Sequence, residues 1–238
     1  MGRRGFTRGT EEGEFPLVEK RHGLKLQGTG PTIWVTIDTE TIPEAIAIGR
    51  RALAAGAHWL EAGTPLISSE GIKAIEALVK TFEDSTIVAD FKTMDGGDLD
   101  VAMAKRAGAN VITVMAVAED ATIKKTVEEA RKHDIGVVAD VLAAKDKPKR
   151  AKEVAELGVD GIFVHTGFDE RRLDTSRNPL TDLPSVLKVV RVPVAVGGGI
   201  TSETANRAVD MGAQIVVVST TTATTPFENV IKSVLRRH

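Results

Sequence analysis

The chain has no cysteine and no tyrosine, only 4% aromatic residues, and no excess of basic charge. Without cysteine there can be no disulfide, thiolate metal site or cysteine nucleophile. Lys plus Arg number 31 against 33 Asp plus Glu, a formal charge of −2, so nothing in the charge balance points to nucleic acid as a partner. No run of about 18 apolar residues is present to span a bilayer, and the N-terminus lacks the apolar core of a signal peptide. The expectation is a soluble cytoplasmic protein.

What is present is an ordinary globular composition, 42% hydrophobic and 27% charged, over 238 residues. That length suits one large core, and α/β barrels commonly use it as a single domain. Residues 1–30 are rich in glycine and charge and hold no sustained period, which predicts an extension outside the main fold. This extension is either a flexible tail or, through LVEKRHGLKL, a segment docked on the surface or on a partner subunit.

From Pro31 to the C-terminus, short β-branched runs alternate with helical patterns. Eight strands are predicted: TIWVTID (32–38), HWLEAG (58–63), TIVADF (86–91), NVITVMA (110–116), GVVADVL (136–142), GIFVHT (161–166), VPVAV (192–196) and QIVVVST (214–220). Stretches such as PEAIAIGRRALAA and IKKTVEEARKH between them have apolar residues at helical spacing with charges opposite. A repeat runs through the pattern: Gly56, Gly108, Gly158 and Gly212 each close a helix before a strand, 52, 50 and 54 residues apart, about two βα units each time. Glycine suits the left-handed cap of a short αβ loop. Four similar quarters of two strands predict a closed (β/α)8 TIM barrel over 31–238, with a doubly wound open sheet as the alternative.

In such a barrel the chemistry belongs at the C-terminal strand ends. Asp38 ends the first strand, Glu61 lies in the second, Asp90 ends the third with Lys92 and Asp95 after it, Asp140 lies in the fifth and His165 ends the sixth. A single strand-end Asp is often a turn former or helix cap, and a lone His a core residue; their convergence on one face is what suggests a site. Asp90 and Lys92, two apart on an extended segment, should share a face. A lysine held between carboxylates stays protonated and can stabilise an enolate. Gly197, Gly198 and Gly199 precede a helix predicted to begin near Thr201 or Ser202, a suitable seat for an anion. A structural salt bridge and a plain tight turn are the respective alternatives.

HWLEAGTPLISSEGIKAI, IVADFKTMDGGDL, VHTGFDE and VPVAVGGGIT, in this order and spacing from about Ile33 to about Gly199, resemble the 3-hexulose-6-phosphate synthases of the orotidine 5′-monophosphate decarboxylase superfamily. The resemblance implies a lyase that reversibly joins formaldehyde to D-ribulose 5-phosphate through an enediolate, using Mg²⁺ or Mn²⁺. It implies that Glu61 and Asp90 hold the metal, Lys92 stabilises the enediolate, His165 is the base and Asp38 orients Lys92 or a substrate hydroxyl. It further implies a homodimer with shared active sites, Asp95 reaching the neighbouring one. Substrate and phosphate contacts fall to Gly197, Gly198, Gly199, Asp140, Ser219 and Thr220.

A related decarboxylase of 3-keto-L-gulonate 6-phosphate shares the scaffold, but its pattern has an Arg shortly after the strand-six His and a Glu on strand five. Here His165 opens HTGF with no Arg next to it, and strand five offers Asp140. After strand eight the chain reads VVVSTTTATTPF, with Ser219 in place of the family's glycine, and DVLAAKD likewise lacks a glycine. β-Branched threonines resist positive φ, so amide binding of phosphate there is in question. A barrel with lost or altered activity, a binding protein or an engineered scaffold, therefore stands as the second class of reading.

Overall fold

The computed structural model describes residues 24–28, 30–221 and 226–238; residues 1–23 of the predicted extension and 222–225 of the strand-eight loop lie outside the described residues. Eight parallel strands close into a barrel in chain order: β1 Thr32–Ile37, β2 Trp59–Ala62, β3 Thr86–Thr93, β4 Val111–Met115, β5 Gly136–Asp140, β6 Gly161–His165, β7 Val194–Gly197 and β8 Ile215–Ser219. β8 closes on β1 through the register Thr32↔Ile215 to Thr36↔Ser219, which rules out the open sheet. All eight predicted strands form. β7 starts two residues later than predicted because Pro193 has no N–H to give to a ladder.

Helices surround the barrel: α1 Ile42–Ala55, α2 Thr64–Glu70, α3 Lys73–Thr81, α4 Gly97–Ala107, α5 Asp120–Arg131, α6 Lys147–Glu156, α7 Phe168–Leu173, α8 Leu183–Val189, α9 Ser202–Asp210 and α10 Phe227–Arg237. The repeated glycines all take positive φ, 107° at Gly56, 83° at Gly108, 98° at Gly158 and 107° at Gly212, the backbone geometry that the sequence repeat predicted.

The strand pleat sorts the core into two layers. One alternate set, with Ile33, Val35, Ile37, Leu60, Ile112 and Ile162, packs outward under the helices. The other, with Trp34, Trp59, Val88, Val111, Val138, Phe163, Ala195, Ile215 and Val217, fills the barrel interior. Trp34 anchors this plug, with ring centroids 5.7 Å from Trp59 and 5.4 Å from Phe163. Below it the chain before β1 folds onto the barrel: Leu24 and Leu26 pack against the interior cluster, and the Trp59 indole N–H donates to the Lys25 carbonyl at 3.2 Å. Leu24 to Leu26, which fall within the segment read as an extension, thus lie on the barrel floor.

Candidate active site

Side chains alternate along a strand, so a residue two beyond a plug residue also faces the barrel axis, one layer nearer the mouth. Trp34 is followed in this way by Thr36, Trp59 by Glu61, Val88 by Asp90, Val111 by Thr113, Val138 by Asp140, Phe163 by His165, Ala195 by Gly197 and Val217 by Ser219. An apolar layer thus supports a polar one. Above it opens a cavity of about 470 Å³ whose lining includes Thr36, Asp38, Glu61, Thr64, Asp90, Lys92, His165, Arg171, Gly198 and Ser219. A larger depression of about 740 Å³ between α6 and α7 is lined by loop residues and the Lys147–Asp182 pair, and no strand-end acid or histidine reaches it.

Asp90 is the hub. It is 5% exposed, and Thr113 Oγ1 donates to its Oδ1 at 2.7 Å while Thr64 Oγ1 donates to Oδ2 at 2.7 Å. The Lys92 ammonium also donates to Oδ2, forming an ion pair. Burial alone would raise the Asp90 pKa, but Lys92 and the two hydroxyls outweigh it and hold the carboxyl below its usual range. Burial would likewise lower the Lys92 pKa; Asp90, Glu61 and Asp140 outweigh that and raise it, so Lys92 is a cation at any physiological pH.

Simple strand alternation does not bring this pair together. Lys92 has φ 48°, and the β3–β4 register shifts between Ala89 and Thr93. The sequence expectation of an extended Asp90–Lys92 segment is therefore corrected to a bulged one. The bulge turns Lys92 into the mouth, where its N–H donates to Thr113 Oγ1 at 3.0 Å.

Asp38 and Glu61 are carboxylates under stress. Burial raises the Asp38 pKa and Asp90 adds to the rise, against the Thr36 hydroxyl, which donates to Oδ2 at 2.9 Å, and the Lys92 charge. Its Oδ1 lies over Gly63, where a Cβ would come within 2.3 Å, so glycine is needed there for close approach. Glu61, 4% exposed, has its pKa pushed well above the usual range by burial first and then by Asp90. The Trp34 indole N–H beside Glu61 weakly favours its charged form, without reaching hydrogen-bond geometry.

Three carboxylates thus face one ammonium around one cavity, an imbalance that a cation would relieve. Glu61 and Asp90 offer hard oxygen donors, and the Glu61 carboxylate carries no hydrogen bond of normal geometry among the described residues. Among those residues no group of three or more His, Cys, Asp or Glu is arranged to hold a metal. The donor set therefore fits an ion that takes one or two carboxylates and completes its shell with water and substrate oxygens, which is the habit of Mg²⁺.

On the other side of the cavity, His165 stacks on Phe163 with ring centroids 4.5 Å apart and planes 9° apart. Its Nδ1 lies 2.9 Å from Asp140 Oδ2. An ionised carboxylate only accepts, so Nδ1 carries the proton of this bond, and in the neutral ring Nε2 is then the acceptor; the His165 side chain lines the cavity. Asp140, 1% exposed, also accepts from the Leu142 N–H at 2.8 Å. It was expected to contact substrate; it lies instead behind His165, off the cavity wall.

The remaining predicted residues divide. Gly198 lines the cavity with φ 98°, and a Cβ there would meet the Thr166 carbonyl at 2.2 Å. Gly199 has φ 72°, while Gly197 is packed against Val217 and Phe163. The helix after this loop begins at Ser202 behind a Thr201 capping box, as expected. Ser219 lines the cavity, but Thr220 turns away and donates to the Thr36 carbonyl at 3.0 Å. Asp95 is exposed outside the cavity, its Oδ1 accepting from the Gly96 N–H at 2.8 Å.

Residues not anticipated include Thr36, Thr64, Thr113 and Arg171. Thr113 was findable, being two beyond Val111 on β4. Arg171, one of several charges in FDERRLD, carried no signal. In DVLAAKD, Ala143 takes φ 61°, the left-handed geometry that glycine would occupy without strain.

The family described as Orotidine 5′-phosphate decarboxylase / HUMPS matches residues 31–222. A curated relative from Staphylococcus haemolyticus, named 3-hexulose-6-phosphate synthase, is 41% identical over 160 residues, covering 67% of this chain and 75% of the relative. One of the same name from Staphylococcus aureus is 40% identical over the same shares. The crystal structure of 3-hexulose-6-phosphate synthase from Salmonella typhimurium superposes with a TM-score of 0.80 at 31% identity, over 87% of this chain and all of that one. The 3-keto-L-gulonate-6-phosphate decarboxylase of Vibrio cholerae reaches 0.77 at 23% identity, over 88% of this chain and 97% of that one, a likeness of fold.

Proposed function

The chain belongs to the orotidine 5′-phosphate decarboxylase / HUMPS family, and from that membership and the site's chemistry we propose that it is a 3-hexulose-6-phosphate synthase. It is a lyase that joins formaldehyde to D-ribulose 5-phosphate, and the reverse reaction is the cleavage. The observation that carries the reading is the opposition, across one cavity, of a tautomer-fixed His165 and the Asp90–Lys92 pair.

The reaction requires a proton to leave the carbon beside a ketone, and both groups serve that step. His165 Nε2 takes the proton from C1 of ribulose 5-phosphate, and the electron pair moves onto the C2 oxygen. The Lys92 ammonium, held at the cavity mouth by Asp90, stabilises that oxyanion. C1 of the enediolate then attacks formaldehyde, forming one C–C bond, and the imidazolium returns its proton to the new hydroxymethyl oxygen. One carbon has been added ahead of C1, so the ketone becomes C3 and the phosphate C6. Glu61 and Asp90 would hold Mg²⁺ or Mn²⁺, which would supply Lewis-acid stabilisation of the developing negative charge. Asp38, hydrogen-bonded to Thr36 and coupled electrostatically to Lys92, orients Lys92 or a substrate hydroxyl.

The exposed Asp95, with Met94 and Leu99 beside it at 53% and 67% exposure, supports a homodimer in which this face is covered and Asp95 serves the neighbouring site. Sugar phosphates are dianions retained within a cell's membrane, which supports a cytoplasmic location for the enzyme.

The test is formaldehyde-dependent consumption of ribulose 5-phosphate with and without Mg²⁺. Activity is expected with the metal, and Lys92→Ala or Asp90→Ala should abolish it. No turnover by the wild-type protein, or faster turnover of 3-keto-L-gulonate 6-phosphate, would overturn the assignment.

A further inference from the structure

The cavity is electrically two-sided. Its carboxylates, Asp38, Glu61 and Asp90, all come from the β1–β3 half, and Lys92 is bound to Asp90. The β6–β8 half contributes Gly198, Ser219 and, from α7, Arg171, with no carboxylate on the wall. Arg171 is the charge without an ion pair on that side; its guanidinium lies 5.7 Å from the Phe168 ring centroid, a contact that leaves its N–H donors free. Its Nε is buried and without a hydrogen-bond partner, and no ion pair to it occurs among the described residues.

Its neighbours are committed elsewhere. Arg177 pairs with Glu170 at 3.2 Å and Asp174 at 3.5 Å, and the Arg172 guanidinium lies 4.2 Å from the Phe168 ring centroid. Arg171 instead lies across the glycine loop: a Cβ at Gly199 would fall 2.8 Å from its Nη1 and 2.9 Å from its Cδ. A half-buried guanidinium whose Nε is shut off from water and has no carboxylate beside it is poorly compensated, and a phosphate is a partner that its planar fork suits.

We propose that Arg171 binds the phosphate monoester of the substrate, with Ser219 and the Gly198–Gly199 backbone beside it. The proposal rests on the phosphosugar reading above and adds a direction to it. The phosphate lies toward α7 and β7, and the ketone end lies toward Asp90 and Lys92, where the opposite polarity would repel a dianion. Arg171 is accordingly the residue that separates ribulose 5-phosphate from unphosphorylated ribulose.

Arg171→Gln and Arg171→Lys test this, since α7 buries no side chain and the fold should survive either change. A charge-assisted hydrogen bond of the usual strength predicts that Arg171→Gln raises KM for ribulose 5-phosphate about 10- to 100-fold. The inhibition constant of inorganic phosphate should rise in parallel, kcat should change less than about threefold, and Arg171→Lys should recover part of the loss. The melting-temperature increase given to the wild-type protein by inorganic phosphate should disappear in Arg171→Gln, a readout that needs no turnover. If Arg171→Gln keeps the wild-type KM and phosphate response, the proposal fails even though the synthase reading stands. If the wild-type protein shows no turnover but an Arg171-dependent phosphate response, the synthase reading fails and the anion site stands.

Discussion

Replacing Asp140 by Asn would remove one negative charge and exchange an acceptor for a donor at almost no change of volume, and so tests whether His165 acts as a base. In the native site Asp140 Oδ2 lies 2.9 Å from His165 Nδ1, and Oδ1 accepts from the Leu142 N–H at 2.8 Å. Asn can keep the Leu142 bond with its carbonyl oxygen, but its NH₂ then faces Nδ1. That arrangement favours the tautomer with the proton on Nε2, the nitrogen that must be free to take the C1 proton. General-base catalysis contributes about 10²- to 10⁴-fold. The expectation is a fall in kcat of about 100- to 1,000-fold, or about 3–4 kcal/mol of barrier. KM should stay within about threefold because Asp140 is off the cavity wall, and stability within about 1 kcal/mol because its hydrogen-bonding capacity is conserved. A direct assay is deuterium incorporation at C1 of ribulose 5-phosphate in D₂O without formaldehyde, which isolates proton removal from C–C bond formation. Wild-type exchange in Asp140→Asn would refute the tautomer argument; a raised KM with unchanged kcat would return Asp140 to substrate contact.

Glu61→Gln removes a buried carboxyl group whose pKa is raised in the folded state, so between its unfolded and folded pKa values the metal-free native protein holds a proton there that the unfolded chain has released. Stability from this group is highest below the usual carboxylate range and falls as pH rises through the folded pKa; Glu61→Gln should therefore raise Tm more at pH 7 than at pH 5 without divalent metal, and should lose the Mg²⁺-induced rise in Tm. Gly198→Ala and Ala143→Gly should move thermal stability in opposite directions: the first adds positive-φ strain and a 2.2 Å clash, about 2 kcal/mol or about 4–8 °C in Tm, and the second relieves about 1 kcal/mol of left-handed strain. Leu24→Ala with Leu26→Ala should destabilise the barrel by about 2 kcal/mol, read by urea denaturation, because both side chains close its floor; an unchanged midpoint would show that their packing contributes nothing.

The strands and their order were legible because a buried parallel strand announces itself as a β-branched run, and because left-handed helix caps need glycine at a repeating interval. The inward layer was legible too. Once Trp34, Trp59 and Phe163 face the axis, the period of two commits Thr36, Glu61 and His165 to the mouth above them, whatever the helices do. Three features were settled only in the folded chain. The β3 bulge that turns Lys92 toward Asp90 depends on the register of β4, which no local pattern in ADFKTMD encodes. Asp140 supports His165 rather than substrate because β5 and β6 are neighbours in the sheet, a pairing between residues 25 apart. Arg171 reads in sequence as one charge among several on a solvated helix; it becomes a cavity residue because α7 folds back over Gly199. The sequence by itself determined which side chains face the axis, since strand alternation is a local rule. Which of them touch each other, and which charge is left without a partner, was decided by contacts between distant segments.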